Sequence, residues 1–518
     1  MKRNLTDAIT VITVFATLGG AVRLAAQEQE AIHPGKGEHR HYKLFDLGTL
    51  GGPASYFSAS GIGAQILNNR GTVAGYGDTS APDPNGPNNC FDLDCFLAHA
   101  FRWRDGVVTD VGALPGVTSS AVSAINEHDW IAGFSQNGIS DPLTGSPEVD
   151  AVLWKNHQLI NLGTLGGNES LAVGMNNRGQ IIGIATNEVP DPFPFPFGLG
   201  FQGTQQRAFL WEKGAMQDLG TLGGPDAAPG AAMNERGQVT GASYTSFTPN
   251  PASGLPTIDP FLWENGKMID LGSLGGTSGF GLAVNNRGQV AGQSNLAGDI
   301  ASHAFLWDGG VLRDLGTLGG TFSTPAWLSD AGDAVGGATT PEDQLFHASL
   351  WRGGRITDLG TLKGDCFSEA LAINSKSQIV GQSFACDGST SEAFLWEDDS
   401  MVDLNTLIPR NATLQLLLAQ NINDRGEIAG VGVPPGSPPN PDLFGHLFLL
   451  IPCDGAHSDD EGCEGDVQRQ TATVQNGPAP TNRSPIGVMG SALTAREIAA
   501  RMGARFGRNH GLVAWPRK

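Results

Sequence analysis

Short stretches of alternating apolar and polar residues, separated by glycine-rich turns, recur along most of this chain. One unit spans residues 282–316, and its four strands, A to D, are predicted at 282–284, 289–294, 303–307 and 311–316. Gly288 ends the A–B turn and Gly309-Gly310 form the C–D turn, because glycine supplies the positive φ that a tight hairpin needs. The pattern predicts units of four short strands without helical periodicity.

The strands of one unit are apolar on both sides of the predicted sheet. In strand C, Phe305 and Trp307 point to one side and Leu306 points to the other. Such a sheet has to be covered on both faces. Because the units contain no helical pattern, we expect the cover to come from like sheets stacked against it.

Three motifs recur in a fixed order, each in eight copies. The first is an apolar strand C that ends in tryptophan, at Trp103, Trp154, Trp211, Trp263, Trp307, Trp351 and Trp396, with a degenerate copy at 447–450. The second is Asp-Leu-Gly-Thr-Leu-Gly-Gly, which begins at Asp46, Asp218 and Asp314, and as variants at Asp110, Asn161, Asp270, Asp358 and Asp403. The third is Asn-x-Arg-Gly-Gln, which begins at Asn176, Asn234 and Asn285, and with changes at Asn68, Asn126, Ser329, Asn374 and Asn423.

Four-stranded units spaced 44–57 residues apart predict an all-β chain folded as a β-propeller. The array begins with a strand D at 42–47 and ends with a strand C at 446–451, so the N-terminal strand would complete the last blade. We therefore expect eight four-stranded blades closed by the N-terminal strand, with seven as the other count. An open β-solenoid is the alternative, although it would expose sheet edges at both ends.

The composition excludes several classes of protein. Lys+Arg 31 against Asp+Glu 52 gives a net charge of 31 − 52 = −21, whereas a nucleic-acid binder needs a basic surface. Glycine, at 73 of 518 residues, argues against a mainly helical fold. The apolar content and the low fraction of charged residues argue against a chain that is disordered overall.

The N-terminus predicts export. Residues 1–26 have a basic start at Lys2 and Arg3, an apolar run over 8–22 and small residues at the end, as in a signal peptide. A membrane anchor is the alternative, but the run of 22 − 8 + 1 = 15 residues is short for a span, which needs about 20. We expect a secreted, extracellular or periplasmic protein without an integral membrane span after cleavage. Residues 27–41 are interpreted as a linker.

Six cysteines fall into three local pairs, and exported chains with such pairs usually form disulfides. We predict Cys90–Cys95, Cys366–Cys386 and Cys453–Cys463. Cys366 precedes strand A of the seventh unit and Cys386 follows its strand B, so that hairpin would bring the two together. A metal site is the alternative for the first pair, but no second cluster at zinc spacing accompanies it.

The repeated motifs resemble the HAF-type repeats of bacterial extracellular proteins. His-Ala-Phe occurs at 99–101 and 303–305, and in part at 347–348. The resemblance covers about residues 42–452. It implies an extracellular location and a shared repeat, and it brings no catalytic residues with it.

Length variation falls almost entirely between strands B and C, in the first, third, fourth and eighth units, and insertions on one face of a repeat array usually mark its binding face. In the first unit, Asp92 and Asp94 could provide a calcium site, or they could belong to a solvated acidic loop held by a disulfide. In the third unit, Phe193, Phe195 and Phe197 could form an aromatic platform for a ligand, or fold over the end of the propeller.

The repeated residues themselves have structural interpretations. The Trp, Phe and Leu of strand C are predicted to be core. The histidines before Ala-Phe are predicted to pack between blades or to form hydrogen bonds, and the Asn and Arg of the A–B turn to bond nearby backbone groups.

The C-terminal part changes in composition. We interpret 453–465 as an acidic loop stapled by a disulfide, 466–490 as a disordered linker and 491–518 as a short basic helix with a tail. Thr494 and Glu497 form a capping box for that helix. The basic tail could dock on an anionic membrane or envelope polymer, dock on the acidic propeller itself, or stay mobile.

These features favour an exported, non-catalytic repeat protein whose long-loop face binds a glycan, a peptide or an envelope partner. A polysaccharide lyase or hydrolase on a propeller scaffold and a purely structural surface protein are the alternatives. No Gly-x-Ser-x-Gly or His-Glu-x-x-His motif occurs, so no catalytic residue is assigned and calcium is the one cofactor considered.

Overall fold

Eight antiparallel units of four strands each make up the described part of the chain, and a single parallel pair joins the fourth unit to the fifth and the sixth to the seventh. The computed structural model describes residues 39–57, 64–87, 89–141, 145–191, 193–197, 203–251 and 253–453. The predicted signal peptide, Cys463, the linker and the basic tail lie outside these residues. The one α-helix among the described residues is α1 (Pro441–Phe444), and two 3₁₀ turns lie at Pro341–Asp343 and Leu404–Thr406.

Each unit is one blade, with strands A to D in chain order. Blade 1 is β2 (Gly51–Tyr56), β3 (Val73–Pro82), β4 (Phe96–Arg104) and β5 (Val107–Gly112). Blade 2 is β6 (Ser120–Ile125), β7 (Ile131–Ser140), β8 (Pro147–Lys155) and β9 (Gln158–Gly163). Blade 3 is β10 (Ser170–Met175), β11 (Ile181–Pro190), β12 (Thr204–Glu212) and β13 (Ala215–Asp218). Blade 4 is β14 (Ala227–Met233), β15 (Val239–Tyr244), β16 (Ile258–Glu264) and β17 (Lys267–Asp270).

The second half repeats the pattern. Blade 5 is β18 (Gly275–Val284), β19 (Val290–Leu296), β20 (Ser302–Asp308) and β21 (Val311–Gly316). Blade 6 is β22 (Ser323–Leu328), β23 (Ala334–Thr339), β24 (Phe346–Arg352) and β25 (Arg355–Gly360). Blade 7 is β26 (Asp365–Ile373), β27 (Ile379–Ala385), β28 (Ser391–Glu397) and β29 (Ser400–Asp403). Blade 8 is β30 (Gln415–Ile422), β31 (Ile428–Val433), β32 (His446–Pro452) and, from the N-terminus, β1 (Tyr42–Gly48).

The N-terminal strand closes the ring. β1 pairs antiparallel with β32 from Tyr42 opposite Pro452 to Gly48 opposite Leu447, and so forms strand D of blade 8. Blades 8 and 1 are also joined at their inner turns, where Asn423 Nδ2 donates to the carbonyl oxygen of Asn68 at 3.0 Å. The predicted propeller of eight blades closed by the N-terminal strand is confirmed, and the open solenoid is wrong.

The third residue of strand B is glycine in every blade, and close packing explains why. These residues are Gly75, Gly133, Gly183, Gly241, Gly292, Gly336, Gly381 and Gly430. A Cβ on Gly381 would overlap the carbonyl oxygen of Glu369 in strand A, and one on Gly292 would overlap the ring of Phe305 in strand C. A residue without a side chain therefore lets strand A and the strand C aromatic approach strand B.

The core lies between neighbouring blades, as the two apolar faces of each sheet predict. Phe209 and Trp211 of blade 3 pack with Leu153 of blade 2, for example. Phe209 and Phe305 are fully buried. The repeated strand C residues are thus core residues, as predicted.

The connections differ in form as well as in length. The C–D turns are two residues long with positive φ at both, as at Gly309 and Gly310. The B–C connections of blades 1 to 3 are extended hairpins, because β3, β7 and β11 are each ten residues long and resume pairing beyond a bulge. Part of the length expected as loop is therefore strand.

Candidate functional site

The propeller has two faces of different character. Strands A and C run towards one face, which carries the A–B and C–D turns and is called the turn face here. The B–C and D–A connections lie on the opposite, long-loop face. The predicted site residues Asp92, Asp94, Phe193, Phe195 and Phe197 all belong to B–C connections, and therefore to the long-loop face.

An acid–tyrosine cluster lies on the long-loop face of blade 1, formed by Tyr56, Tyr76, Asp78, Asp92 and Asp94. Tyr56 ends β2, Tyr76 and Asp78 are on β3, and the two other carboxylates come from the B–C connection. The Cys90–Cys95 disulfide closes the segment that holds Asp92 and Asp94. Strand pairing and a short covalent loop thus bring three carboxyl groups to two tyrosines.

Hydrogen bonds and ring contacts define the geometry of the acid–tyrosine cluster. The Tyr56 hydroxyl lies 3.4 Å from Asp78 Oδ2, 3.3 Å from Asp94 Oδ2 and 3.2 Å from the carbonyl oxygen of Asp442, so its one proton has three acceptors. The rings of Tyr56 and Tyr76 stack with centroids 4.9 Å apart. Tyr56, Asp92 and Asp94 remain partly exposed, whereas Asp78 is fully buried.

Two carboxyl groups of the cluster hold protons at neutral pH. Burial and a hydrogen bond with Asp94, followed by the charges of Asp94 and Asp92, raise the pKa of Asp78 to about 9. Burial and the charges of Asp94, Asp442 and Asp83 raise the pKa of Asp92 to about 8. Asp92 Oδ2 is buried and has no hydrogen-bond partner among the described residues.

The predicted calcium site has no counterpart in this geometry. No group of three or more His, Cys, Asp or Glu residues in the described ranges is arranged to hold a metal ion. Another acid of the connection, Asp83, accepts from the backbone N–H groups of Asn85 and Phe91 at 2.8 Å and so stabilises the loop. Asp92 and Asp94 therefore belong to a proton-sharing cluster in this structure.

The phenylalanine segment of blade 3 folds over the propeller. Phe195 is 1% exposed and lies 5.0 Å from the ring of Tyr244, whose hydroxyl donates to the carbonyl oxygen of Pro194. Phe197 stacks on Phe280 with centroids 4.6 Å apart, and Phe193 is partly buried against the same cluster. Phe195 offers no surface to a ligand here. The segment therefore folds over the end of the propeller, which was the alternative to an aromatic platform for a ligand.

Further buried acids lie on the long-loop face, and the sequence analysis missed them. Burial and a hydrogen bond with Asp191 raise the pKa of Asp226 to about 8. Burial and the charges of Asp141, Glu148 and Asp150 raise the pKa of Glu169 to about 7. The sequence does mark this region, because Asp-Pro follows strand B directly in three successive blades, at 83–84, 141–142 and 191–192. Together with burial, Asp141 and Asp191 of these pairs raise the pKa of Glu169 and Asp226.

The repeated histidines pair with the repeated aspartates. In each blade the residue before Ala-Phe on strand C faces the first residue of the Asp-Leu-Gly motif on strand D. His99–Asp110, His303–Asp314, His347–Asp358 and His446–Asp46 are each 3.0 Å apart. The prediction that these histidines form hydrogen bonds is confirmed. Blade 4 has two acids instead, and burial with the charge of Asp270 raises the pKa of Asp259 to about 6.

The predicted disulfides agree with the structure where it describes them. Cys90–Cys95 and Cys366–Cys386 are formed, the second between the paired strands β26 and β27. Cys453 is disulfide-bonded, and its predicted partner Cys463 lies outside the described residues. No helix in the described ranges is long and apolar enough to span a membrane.

The strand A residues of blades 2 to 8, together with Gln65 and Leu67 of blade 1, surround an axial channel with a cavity of about 500 Å³. Its lining combines apolar residues, which include Met175, Met233, Leu282, Trp327 and Ile373, with a similar share of polar residues. Trp327 lies outside the repeated strand C position, so the motif did not mark it.

An asparagine ladder joins the blades around the turn-face end of the channel. The repeated asparagine accepts from two backbone N–H groups of its own turn and donates Nδ2 to the carbonyl oxygen of the equivalent residue in the next blade. For Asn176 the acceptor is Asn234, at 3.2 Å. The predicted local bonds are confirmed for asparagine, and the bond between blades was not foreseen. Arg178 and Arg236 instead donate to a glutamine side chain of the same turn. Blade 6 lacks the bond to the next blade because Ser329 replaces asparagine.

The residue after each ladder position forms a rim around the channel mouth. The rim, in blade order, is Asn69, Glu127, Asn177, Glu235, Asn286, Asp330, Ser375 and Asp424, so acids alternate with uncharged residues. Rim side chains reach back to the preceding blade, as where Glu235 Oε1 accepts from the backbone N–H of Asn177 at 3.1 Å. None of the four acids forms a salt bridge with Lys or Arg among the described residues.

Known proteins with some structural similarity to this chain share little sequence with it. No protein-family model and no curated protein matches this chain. The β-propeller domain of the Trilobed protease from Pyrococcus furiosus aligns with 66% of this chain and 98% of its own, at 9% identity and a TM-score of 0.41. An acylaminoacyl peptidase from Pyrococcus horikoshii aligns with 73% of this chain and 58% of its own, at 12% identity and a TM-score of 0.37. An ulvan lyase aligns with 76% and 95%, at 10% identity and a TM-score of 0.29. These similarities concern the propeller scaffold alone.

Proposed function

We propose that this chain is an exported binding protein that recognises a glycan at the acid–tyrosine cluster on its long-loop face. The observation that carries the proposal is the partly exposed group of Tyr56, Asp92 and Asp94 above the buried, protonated Asp78. Export rests on the sequence of residues 1–26 and on the disulfides. Membership of the HAF-type repeat family is part of the same proposal and rests on the repeated motifs.

The chemistry of the cluster suits a polyhydroxylated ligand. A protonated carboxyl group both donates and accepts hydrogen bonds, as a sugar hydroxyl does. Tyr56 adds an aromatic ring and a hydroxyl, and Leu93, 68% exposed, adds an apolar edge. A site built for a divalent cation would instead need ionised carboxylates around one point.

The test is a glycan-array screen of residues 27–518, with and without calcium. We expect saturable, calcium-independent binding to one glycan class. Asp94→Asn and Tyr56→Phe should each weaken it at least tenfold, because both remove a polar contact at the cluster. Asp105→Asn, on the turn face, is the matched control and should bind as the wild type does. Absence of binding under both conditions would contradict the proposal.

A polysaccharide-cleaving enzyme is the second candidate, and one observation favours it. Burial and neighbouring carboxylates raise the pKa of the partly exposed Asp92 to about 8, and a carboxyl group that stays protonated at neutral pH can act as a general acid. Release of new reducing ends or unsaturated sugars from a bound glycan would establish this candidate. An unchanged chain length after prolonged incubation would exclude it for that glycan.

A further inference from the structure

We infer that the basic C-terminal segment of this chain, residues 491–518, docks on the turn-face mouth of the axial channel. The docking surface consists of the rim acids Glu127, Glu235, Asp330 and Asp424 and the apolar residues of the channel wall beneath them. This surface lies on the opposite face from the acid–tyrosine cluster, so the inference does not depend on the proposed function.

The rim has unused negative charge. In Glu127, Glu235 and Asp424, one carboxylate oxygen accepts a backbone N–H of the preceding blade, at 3.0 to 3.1 Å. The other oxygen has no hydrogen bond to any described residue. The nearby arginines are engaged elsewhere, since Arg178 and Arg236 each donate to the glutamine two residues further along the same turn.

The C-terminal segment has the complementary charge. Residues 491–518 contain 6 Lys and Arg and one acid, Glu497, so they carry 6 − 1 = +5. The remainder of the chain then carries −21 − 5 = −26. Opposite charge of this size favours association of the two parts and depends on ionic strength.

The segment also has apolar side chains for the channel. In the helix predicted from the capping box, Ile498, Met502 and Phe506 recur every four residues and so share one face. The channel wall offers Met175, Met233 and the partly exposed Trp327 as contacts. Apolar anchors surrounded by a charged rim are the usual arrangement of a specific interface.

The course of the chain makes this contact accessible. β32 is a strand C and runs to the turn face, where it ends at Pro452 and the backbone N–H of Cys453 donates to the carbonyl oxygen of His41 at 2.8 Å. A strand C lies about 10 Å from strand A of its blade, since neighbouring strands are about 4.8 Å apart. The 37 residues of 454–490 can span up to about 120 Å at full extension, so their length allows the contact.

Hydrogen exchange on the full mature chain tests the inference. We expect backbone amides in 491–518 to exchange at least tenfold more slowly in the wild type than in the triple variant Glu127→Gln, Glu235→Gln, Asp424→Asn. The substitutions keep the oxygen that accepts the backbone N–H and remove the charge. The matched control Asp105→Asn, Asp398→Asn, Asp399→Asn lies in outer turns of the same face and should leave the exchange of 491–518 unchanged.

A second variant covers the case in which the rim changes disturb the fold. Arg496→Glu, Arg501→Glu, Arg505→Glu alters the tail alone, and it should raise exchange in the rim segments 124–130 and 231–237. Arg469→Glu, Arg483→Glu, in the linker, is its control. Equal exchange of 491–518 in the wild type and the rim variant, together with rim segments unaffected by the tail variant, would overturn the inference.

Discussion

The two faces of this propeller differ in how regular their connections are from blade to blade. On the turn face, most blades use similar short turns, and an asparagine ladder ties each blade except blade 6 to the next. On the long-loop face, blades 1 to 3 extend their B–C hairpins and bury carboxyl groups that have few cationic partners. Regularity thus lies where the blades are held together, and variation lies where we propose that a ligand binds.

Acid–base behaviour follows the same division. On the turn face, burial acts to raise the pKa of Asp129, but hydrogen bonds from Asn68 and Thr72 and the charges of Arg70 and Arg104 lower it overall. On the long-loop face, burial raises the pKa of Asp78, Asp92, Glu169 and Asp226 instead. This suppression of charge does not extend over the whole long-loop face. Burial acts to raise the pKa of Asp343, but hydrogen bonds from Thr321 and Thr339 lower it overall, and hydrogen bonds from Ser389 lower the pKa of Asp387.

Among the single substitutions, replacing a strand B glycine should produce the largest effect on stability. Gly381→Ala places a Cβ against the carbonyl oxygen of Glu369 and against the ring of Phe394. We expect the free energy of unfolding to fall by about 3 kcal/mol, because backbone cannot move aside in a packed sheet. Urea denaturation of the wild type and the variant measures this change in the free energy of unfolding. In the control Gly77→Ala the nearest atom, Ser55 Cβ, is 3.2 Å away, so a loss as large there would contradict the explanation.

Removing one step of the asparagine ladder should cost less. Asn176→Ala removes the acceptor of the backbone N–H groups of Arg178 and Gln180. It also breaks the bond to the Asn234 carbonyl oxygen, which keeps its bond from the Gly237 N–H. We expect a loss of about 2 kcal/mol in the free energy of unfolding, measured in the same way. The reciprocal change, Ser329→Asn, supplies the missing step in blade 6 and should not destabilise the protein. A clear loss of stability in Ser329→Asn would show that the ladder does not hold the blades.

Much of this architecture could be predicted from the sequence, because the repeat imposes it. Four-strand periodicity, the closing strand and the core position of the strand C tryptophans follow from residues that recur eight times. The acid–tyrosine cluster could not be predicted in the same way. Tyr56, Asp78 and Asp94 occur once each and meet only through strand pairing and the Cys90–Cys95 loop. The burial of Phe195 likewise depends on Tyr244 from the next blade.

Stability should decrease as pH rises from about 5 to about 8. Carboxyl groups with pKa values of about 7 to 9 in the folded state keep protons that the unfolded chain releases near pH 4, so folding binds protons throughout this range. We expect the free energy of unfolding to be lower by several kcal/mol at pH 8 than at pH 5, because each retained proton costs about 1.4 kcal/mol per pH unit. Thermal denaturation across pH measures this. Asp78→Asn, Asp226→Asn should flatten the profile, and an unchanged slope in that variant would contradict the assignment.

The smallest effect concerns the strand C and strand D pair of blade 4. Asp259→His would face Asp270 as the histidines face aspartate in four other blades, and it would remove a buried carboxylate oxygen that has no partner among the described residues. We expect a gain of about 0.5 kcal/mol in the free energy of unfolding at pH 7. The reverse change, His303→Asp, should lose a similar amount. A loss of stability in Asp259→His, or a gain in His303→Asp, would contradict the pairing.

The most direct test of the central claim is to locate the bound glycan by hydrogen exchange. The wild-type chain, saturated with the glycan that the array identifies, should show slower exchange in segments 54–57 and 89–98 of blade 1, which contain the acid–tyrosine cluster. The turn-face segments 68–72 and 176–180 should exchange as in the free protein. Slower exchange at the turn-face segments, with no change in blade 1, would contradict the assignment of recognition to the long-loop face.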